Sequence, residues 1–133
     1  RLGIGNEQCT VYTETLLENI VSQIEELRPD MVIIDSIQTM STDIIESSAG
    51  SVPQIRECAA TLLRVAKSMG TAIFIIGHIT KEGTIAGPKI LEPIVDVVLP
   101  FEGDGDHTYR LPRGVHTQRY YSRTTRSHYR VAP

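Results

Sequence analysis

No stretch of this 133-residue chain approaches the roughly 20 consecutive apolar residues needed to span a bilayer. The strongest apolar run, residues 72–76, is only strand-sized, so a soluble protein without a membrane segment is expected. Cysteine is scarce as well: Cys9 and Cys58 are far apart, and neither has a second Cys or His at metal-ligand spacing. That excludes a disulfide scaffold or a zinc site built on them. Two buried, reduced thiols are expected, as suits a cytoplasmic setting. The opening residues Arg1, Leu2, Gly3, Ile4 and Gly5 resemble neither a secretory signal nor a transit peptide, and with no initiator Met they read as a start inside a longer protein. His107, His116 and His128 have no accompanying carboxylate or Cys set and are expected at the surface rather than on a metal.

A complete phosphate-binding glycine loop is also missing from the sequence. Gly3-Ile4-Gly5 has Gln8 where a dinucleotide fingerprint needs its third glycine. The segment from Gly83 to Lys89 has three residues between its glycines where a P-loop has four, and Ile90 where Ser or Thr would meet Mg²⁺. Pro88 also removes a backbone N–H from any phosphate cradle there. Neither segment is expected to hold a triphosphate in the usual way.

Acidic residues are absent from positions 107–133, which carry six arginines: Arg110, Arg113, Arg119, Arg123, Arg126 and Arg130. The net charge of −3 therefore conceals a body at −9 and a tail at +6. Such a contrast invites an interaction-tail reading. With 41% hydrophobic and 22% charged residues, the chain has material for one ordinary core.

What is present alternates between helix and strand patterns. Val11 and Tyr12 read as a strand end, and Thr15 with Glu18 as a capping box. Leu16, Leu17, Ile20, Val21, Ile24 and Leu27 then recur at helical spacing until Pro29. Residues 31–34 form a continuous apolar run ending in Asp35, which predicts a central parallel strand flanked by strands at 8–12 and 71–77 and covered on both faces. Residues 36–51, rich in Ser, Thr and Gly with Asp43 and Glu46, predict a mobile loop. A second helix is predicted over 53–69, with Ile55, Ala59, Leu62, Ala66 and Met69 inward and Gly70 as its left-handed stop. Residues 72–76 predict the next buried strand, ended by Gly77 and His78. A loop over 80–89 leads through Ile90, Leu91 and Ile94 to a strand over 95–101. Such alternation calls for a mostly parallel sheet, whose ligands bind outside the carboxyl ends of its strands. Asp35, Gln38, His78, Thr80 and Lys81 would gather there.

Four apolar residues followed by Asp, as in Met31-Val32-Ile33-Ile34-Asp35, make the Walker B pattern of nucleotide hydrolases. A carboxylate at a strand end can hold a Mg²⁺-bound water beside a phosphate. A strand ending in Asp is common in α/β folds, however, and an Asp that merely caps the next turn is the alternative.

Three longer blocks resemble the RadA (Sms) family of bacterial DNA repair proteins. They are Asp35-Ser36-Ile37-Gln38-Thr39, the segment from Gly50 to Ala59, and the segment from Gly77 to Lys89, and Val95 to Asp104 continues the likeness. The resemblance covers about residues 1–113. It implies an α/β fold, namely part of a RecA-like P-loop NTPase core that lacks its Walker A segment. It also implies an ATP- and Mg²⁺-dependent motor acting on single-stranded and branched DNA in repair and recombination. A ring-forming homo-oligomer and a RecA-type recombinase as partner are expected, with zinc confined to a finger upstream of Arg1. Residue by residue, Asp35 resembles the Walker B carboxylate that binds metal, and Gln38 belongs to the polar segment after it. Ser36, His78 and Thr80 fall on the nucleotide side, His78, Thr80 and Lys81 match the segment that senses the γ-phosphate, and Asp35, Gln38 and Lys81 are the expected catalytic residues. Lys81, Lys89 and Arg113 are the expected DNA contacts. The Walker A loop and the water-activating glutamate would lie upstream, so the isolated chain is expected to be inactive.

After Arg113 the likeness ends: the family continues Lys-Asn-Arg-Phe-Gly, where this chain has His116-Thr117-Gln118-Arg119-Tyr120. Residues 114–133 are expected to be a divergent basic tail. A shifted reading frame or junction is the favoured account of this tail, and a nucleic-acid-binding tail, with Tyr120, Tyr121 and Tyr129 stacking among the arginines, is the alternative. Two rival functions stand beside the motor: another RecA-like enzyme such as a replicative helicase, and an ATP-independent oligomerisation scaffold. Nucleotide binding separates the scaffold from both.

Overall fold

The computed structural model describes residues 7–78, 88–99, 101–103, 110–112 and 115–116, with backbone only for Pro88, Lys89 and the residues from 101 onward. The first helix, α1 (Leu17–Leu27), buries Leu17, Ile20 and Ile24 as the helical spacing requires. Its start differs from the expected capping box. Ser41 carbonyl accepts the Leu17 N–H at 2.8 Å, Ser41 N–H donates to Thr15 carbonyl at 3.0 Å, and the Glu18 side chain turns instead to Thr42. A backbone carbonyl 24 residues away thus meets one free amide of the helix start, that of Leu17, while the Glu14 side chain accepts the N–H groups of Thr15 and Leu16. Arg28 ends the helix in the left-handed region at φ 45°, donating its N–H to Ile24 carbonyl.

Residues 9–15 form no strand, contrary to expectation. Val11 and Tyr12 are exposed, and without a buried partner surface two apolar residues among polar ones do not hold a strand in place.

Strand β1 (Met31–Asp35) runs parallel to β2 (Ala72–Ile76), with Met31 opposite Ala72, Ile33 opposite Phe74 and Asp35 opposite Ile76. Between them lie a 3₁₀ turn (Ile37–Thr39), a loop and α2 (Val52–Met69), which completes a βαβ unit. α2 buries Ile55, Cys58, Ala59, Leu62 and Val65 and stops at Gly70, φ 69°. The buried stripe is centred slightly off the expected one, since Ala66 and Met69 are only half-buried. The helices cover one face of the strand pair, joined by Ile34, Ile37, Met40 and Leu91 in a single core.

The sheet is smaller than expected: among the described residues β1 pairs with β2 alone, and the flanking strand expected at 8–12 is not formed. Its residues alternate between covered and exposed, leaving Met31, Ile33, Phe74 and Ile76 open on the second face. Beyond β2, a short helix α3 (Pro88–Leu91) occupies the end of the expected loop. The expected strand over 95–101 divides into β3 (Val97–Val98) and β4 (Phe101–Gly103). These pair antiparallel with β6 (Val115–His116) and β5 (Arg110–Pro112) respectively. Pro100, lacking an N–H to give a ladder, falls between the two pieces. Among the described residues no helix is long and apolar enough to cross a membrane.

Candidate functional site

Because β1 and β2 are parallel and in register, Asp35 and the residues after Ile76 leave the sheet at the same rim. Asp35 Oδ1 lies 3.6 Å from His78 Nε2, with both side chains about two-thirds exposed (65% and 68%). An exposed pair of this kind contributes little to stability, and only when the imidazole is protonated. The backbone beneath it supplies the placement.

Ser36, joined to Asp35 by a cis peptide bond, is buried. Ile37 is fully buried in the core and pins the 3₁₀ turn, and Thr39 Oγ1 closes the turn by donating to Ser36 carbonyl at 2.8 Å. Gln38 then faces β2: its Nε2 donates to His78 carbonyl at 3.0 Å. Its Oε1 is buried and has no hydrogen-bond partner among the described residues. The structure therefore brings Asp35, Ser36, Gln38 and His78 together. Thr80, Lys81 and Arg113 lie outside the described residues, as does the Lys89 side chain.

The loop between the 3₁₀ turn and α2 was expected to be mobile, yet its described part is fastened. Gln54, 1% exposed, accepts the Thr42 N–H at 2.8 Å through Oε1. Its Nε2 faces the carbonyls of Thr42, Ile45 and Ser47 at 3.0, 2.8 and 3.0 Å. Gly50, at φ 77°, brings the loop back against Gln38, where an added Cβ would sit 3.1 Å from the Gln38 carbonyl oxygen. Only glycine suits both the dihedral and the space.

Sequence reasoning missed Gln54. A signal was present in Ser51-x-x-Gln54 at a helix start, but that pattern ordinarily means a side chain reaching back to its own helix end. Here Ser51 makes no side-chain cap, and the glutamine reaches across to the loop. Cys58 is buried as expected, whereas Cys9 is exposed, because the segment carrying it packs in no strand.

No protein-family model matches the chain. Full-length sequences do. DNA repair protein RadA of Halalkalibacterium halodurans is 55% identical over 115 residues, which are 86% of this chain and 25% of that protein. RadA of Listeria monocytogenes and RadA of Bacillus subtilis are each 53% identical over 115 residues, with the same 86% and 25% shares. The chain thus spans about a quarter of the length of the curated relatives it matches. These matches and the parallel α/β unit agree in placing the chain, as a partial sequence with a RecA-like fold, in the bacterial DNA repair protein RadA family.

Proposed function

We propose that this chain forms part of the ATPase unit of a RadA-type repair and recombination motor, in which ATP hydrolysis drives the processing of branched DNA. The observation that carries the reading is the meeting of Asp35 and His78 at the carboxyl rim of parallel strands, in a chain whose relatives are DNA repair proteins. Ligands of open parallel sheets bind at that rim.

Mg²⁺ takes one or two protein carboxylates and completes its octahedron with waters and substrate phosphates. The exposed Asp35 carboxylate fits that role. Such a site needs no cluster of three or more His, Cys, Asp or Glu, and none occurs among the described residues. The metal, when bound, would offset negative charge on the phosphates. Ser36, His78 and Thr80 would line the nucleotide, with Gln38 and Lys81 next to the γ-phosphate. Lys81, Lys89 and Arg113 would meet the DNA backbone. Residues 1–113 would belong to the ATPase unit and 114–133 to a basic tail. The parent would work as a ring in the cytoplasm beside a RecA-type recombinase.

The test is Asp35→Ala in the full-length protein. Loss of ATP turnover, with the melting temperature kept within a few degrees, is the expected result. Near-normal turnover in a folded variant would remove Asp35 from the site. The isolated 133-residue chain should show no saturable nucleotide binding by calorimetry, because it has no glycine-rich loop to converge backbone N–H groups on the β and γ phosphates.

A further inference from the structure

Gln54 is a polar side chain in the position of a core residue, 1% exposed between the fully buried Ile55 and the loop before α2. Burying a primary amide is costly unless each of its groups finds a partner. Here every polar atom does, and all the partners are backbone groups of residues 42–47.

Those residues have little slack at either end. Upstream, Ser41 is bonded through both its N–H and its carbonyl to the segment leading into α1, and the Thr42 side chain is bonded to Glu18. Downstream, the backbone at Gly50 passes close to Gln38: a Cβ added there would sit 3.1 Å from the Gln38 carbonyl oxygen. Gln38 in turn holds the His78 carbonyl. A path of hydrogen bonds and one close backbone approach therefore runs from Gln54, through the loop, to Gln38 and on to the end of β2 where His78 meets Asp35.

We propose that Gln54 is a positioning residue for the candidate nucleotide site: by clasping residues 42–47 it fixes the frame from which Gln38 holds the end of β2. The inference rests on the nucleotide-site reading of Asp35 and His78 for its functional consequence, but not for its structural content. Gln54 touches neither Asp35 nor His78 and acts through the loop.

Glutamate is the informative replacement, since a protonated carboxyl keeps the shape of the amide and one donor, whereas the carboxylate has no donor and would face three carbonyl oxygens. Desolvation and those oxygens both raise the pKa of such a group. Gln54→Glu in the full-length protein should therefore recover toward wild type as pH falls from about 9 to about 6, the range over which a strongly raised carboxyl pKa titrates.

Two readouts test this. Hydrogen exchange at pH 8.5 should show faster exchange in residues 42–47 of Gln54→Glu, and also in 36–39 and 76–78. Loosening confined to 42–47 would mean a merely local clasp and would overturn the proposal. In steady-state kinetics, kcat should fall at least tenfold at pH 8.5 with KM for ATP within threefold, and the ratio of variant to wild-type kcat should climb as pH drops. A flat ratio would also overturn it. Gln54→Leu should show the same spread of exchange without the pH recovery, and if it fails to fold, Gln54→Glu at low pH still decides. Should the wild type prove unable to hydrolyse ATP while the exchange pattern spreads as expected, the nucleotide reading falls and the structural coupling stands.

Discussion

The Cys58 thiol is fully buried, and that burial, aided by the negative charges of Glu18 and Glu57, pushes its pKa up to about 11. Cys9, near the start of the described residues, is exposed. Only a thiolate reacts quickly with a disulfide reagent, so native protein at pH 8 should titrate one thiol per chain rapidly and the second only after denaturant is added. Two fast thiols would show that the core around Cys58 opens on the assay timescale. The raised value also sets a pH dependence. A thiol harder to ionise when folded than when unfolded contributes its full share of stability below the ordinary thiol pKa of about 8.5, and loses it as pH rises toward 11. The urea midpoint should fall across that window, and a Cys58→Ala background should lose that part of the slope. At this scale the sequence showed Asp35 and His78 clearly, because a carboxylate and an imidazole at the ends of apolar runs have few other places to be. Gln54 was hidden, since nothing local distinguishes an amide that caps its own helix from one that clasps a loop 7 to 12 residues upstream.

The two long helices, α1 and α2, each end in a left-handed residue just before a strand, but with different side chains: Arg28 at φ 45° and Gly70 at φ 69°. An added Cβ at Gly70 would meet nothing within 4 Å, so the cost of Gly70→Ala is conformational alone, about 1 kcal/mol. Arg28→Gly should move the other way, gaining up to about 1 kcal/mol by relieving the same strain, with some offset from a freer unfolded chain. Chemical denaturation of the two variants checks the opposed signs, and a loss at both positions would mean that the Arg28 side chain makes a contact of its own worth keeping. Such helix ends were legible because Pro29 and Gly70 punctuate the chain. The start of α1 was not: its Leu17 amide is met by Ser41, and a backbone partner that arrives from a later loop leaves no mark near residue 16. The strand expected over 8–12 failed for a related reason. Two apolar residues give a strand pattern, but pairing depends on a neighbour that the local sequence does not name.

On the scale of the whole molecule, the strands have the composition of a sheet covered on both faces and the described residues cover one. Ile33 and Phe74 face each other across β1 and β2, 62% and 48% exposed, with Met31 and Ile76 open on the same side. The apolar runs were legible as strands because they are continuous, but continuity says that both faces want cover, not which part of a polypeptide provides it. An apolar face left open and an edge of β1 left unpaired among the described residues are together a template for association. The isolated 133-residue chain should accordingly self-associate, with a sedimentation coefficient that rises with concentration. Ile33→Glu combined with Phe74→Lys replaces the central cross-strand pair by opposite charges, which remain compatible as neighbours on a sheet. Both side chains lie outside the core made by α1, α2 and the inner residues of the strands, so the thermal midpoint should move by no more than a few degrees, as for other surface changes. Sedimentation velocity on the double variant should then show a single species whose coefficient does not change with concentration. If the variant still associates as strongly as the wild-type chain, the contact lies elsewhere and the open face of the β1 and β2 pair is not what draws copies together.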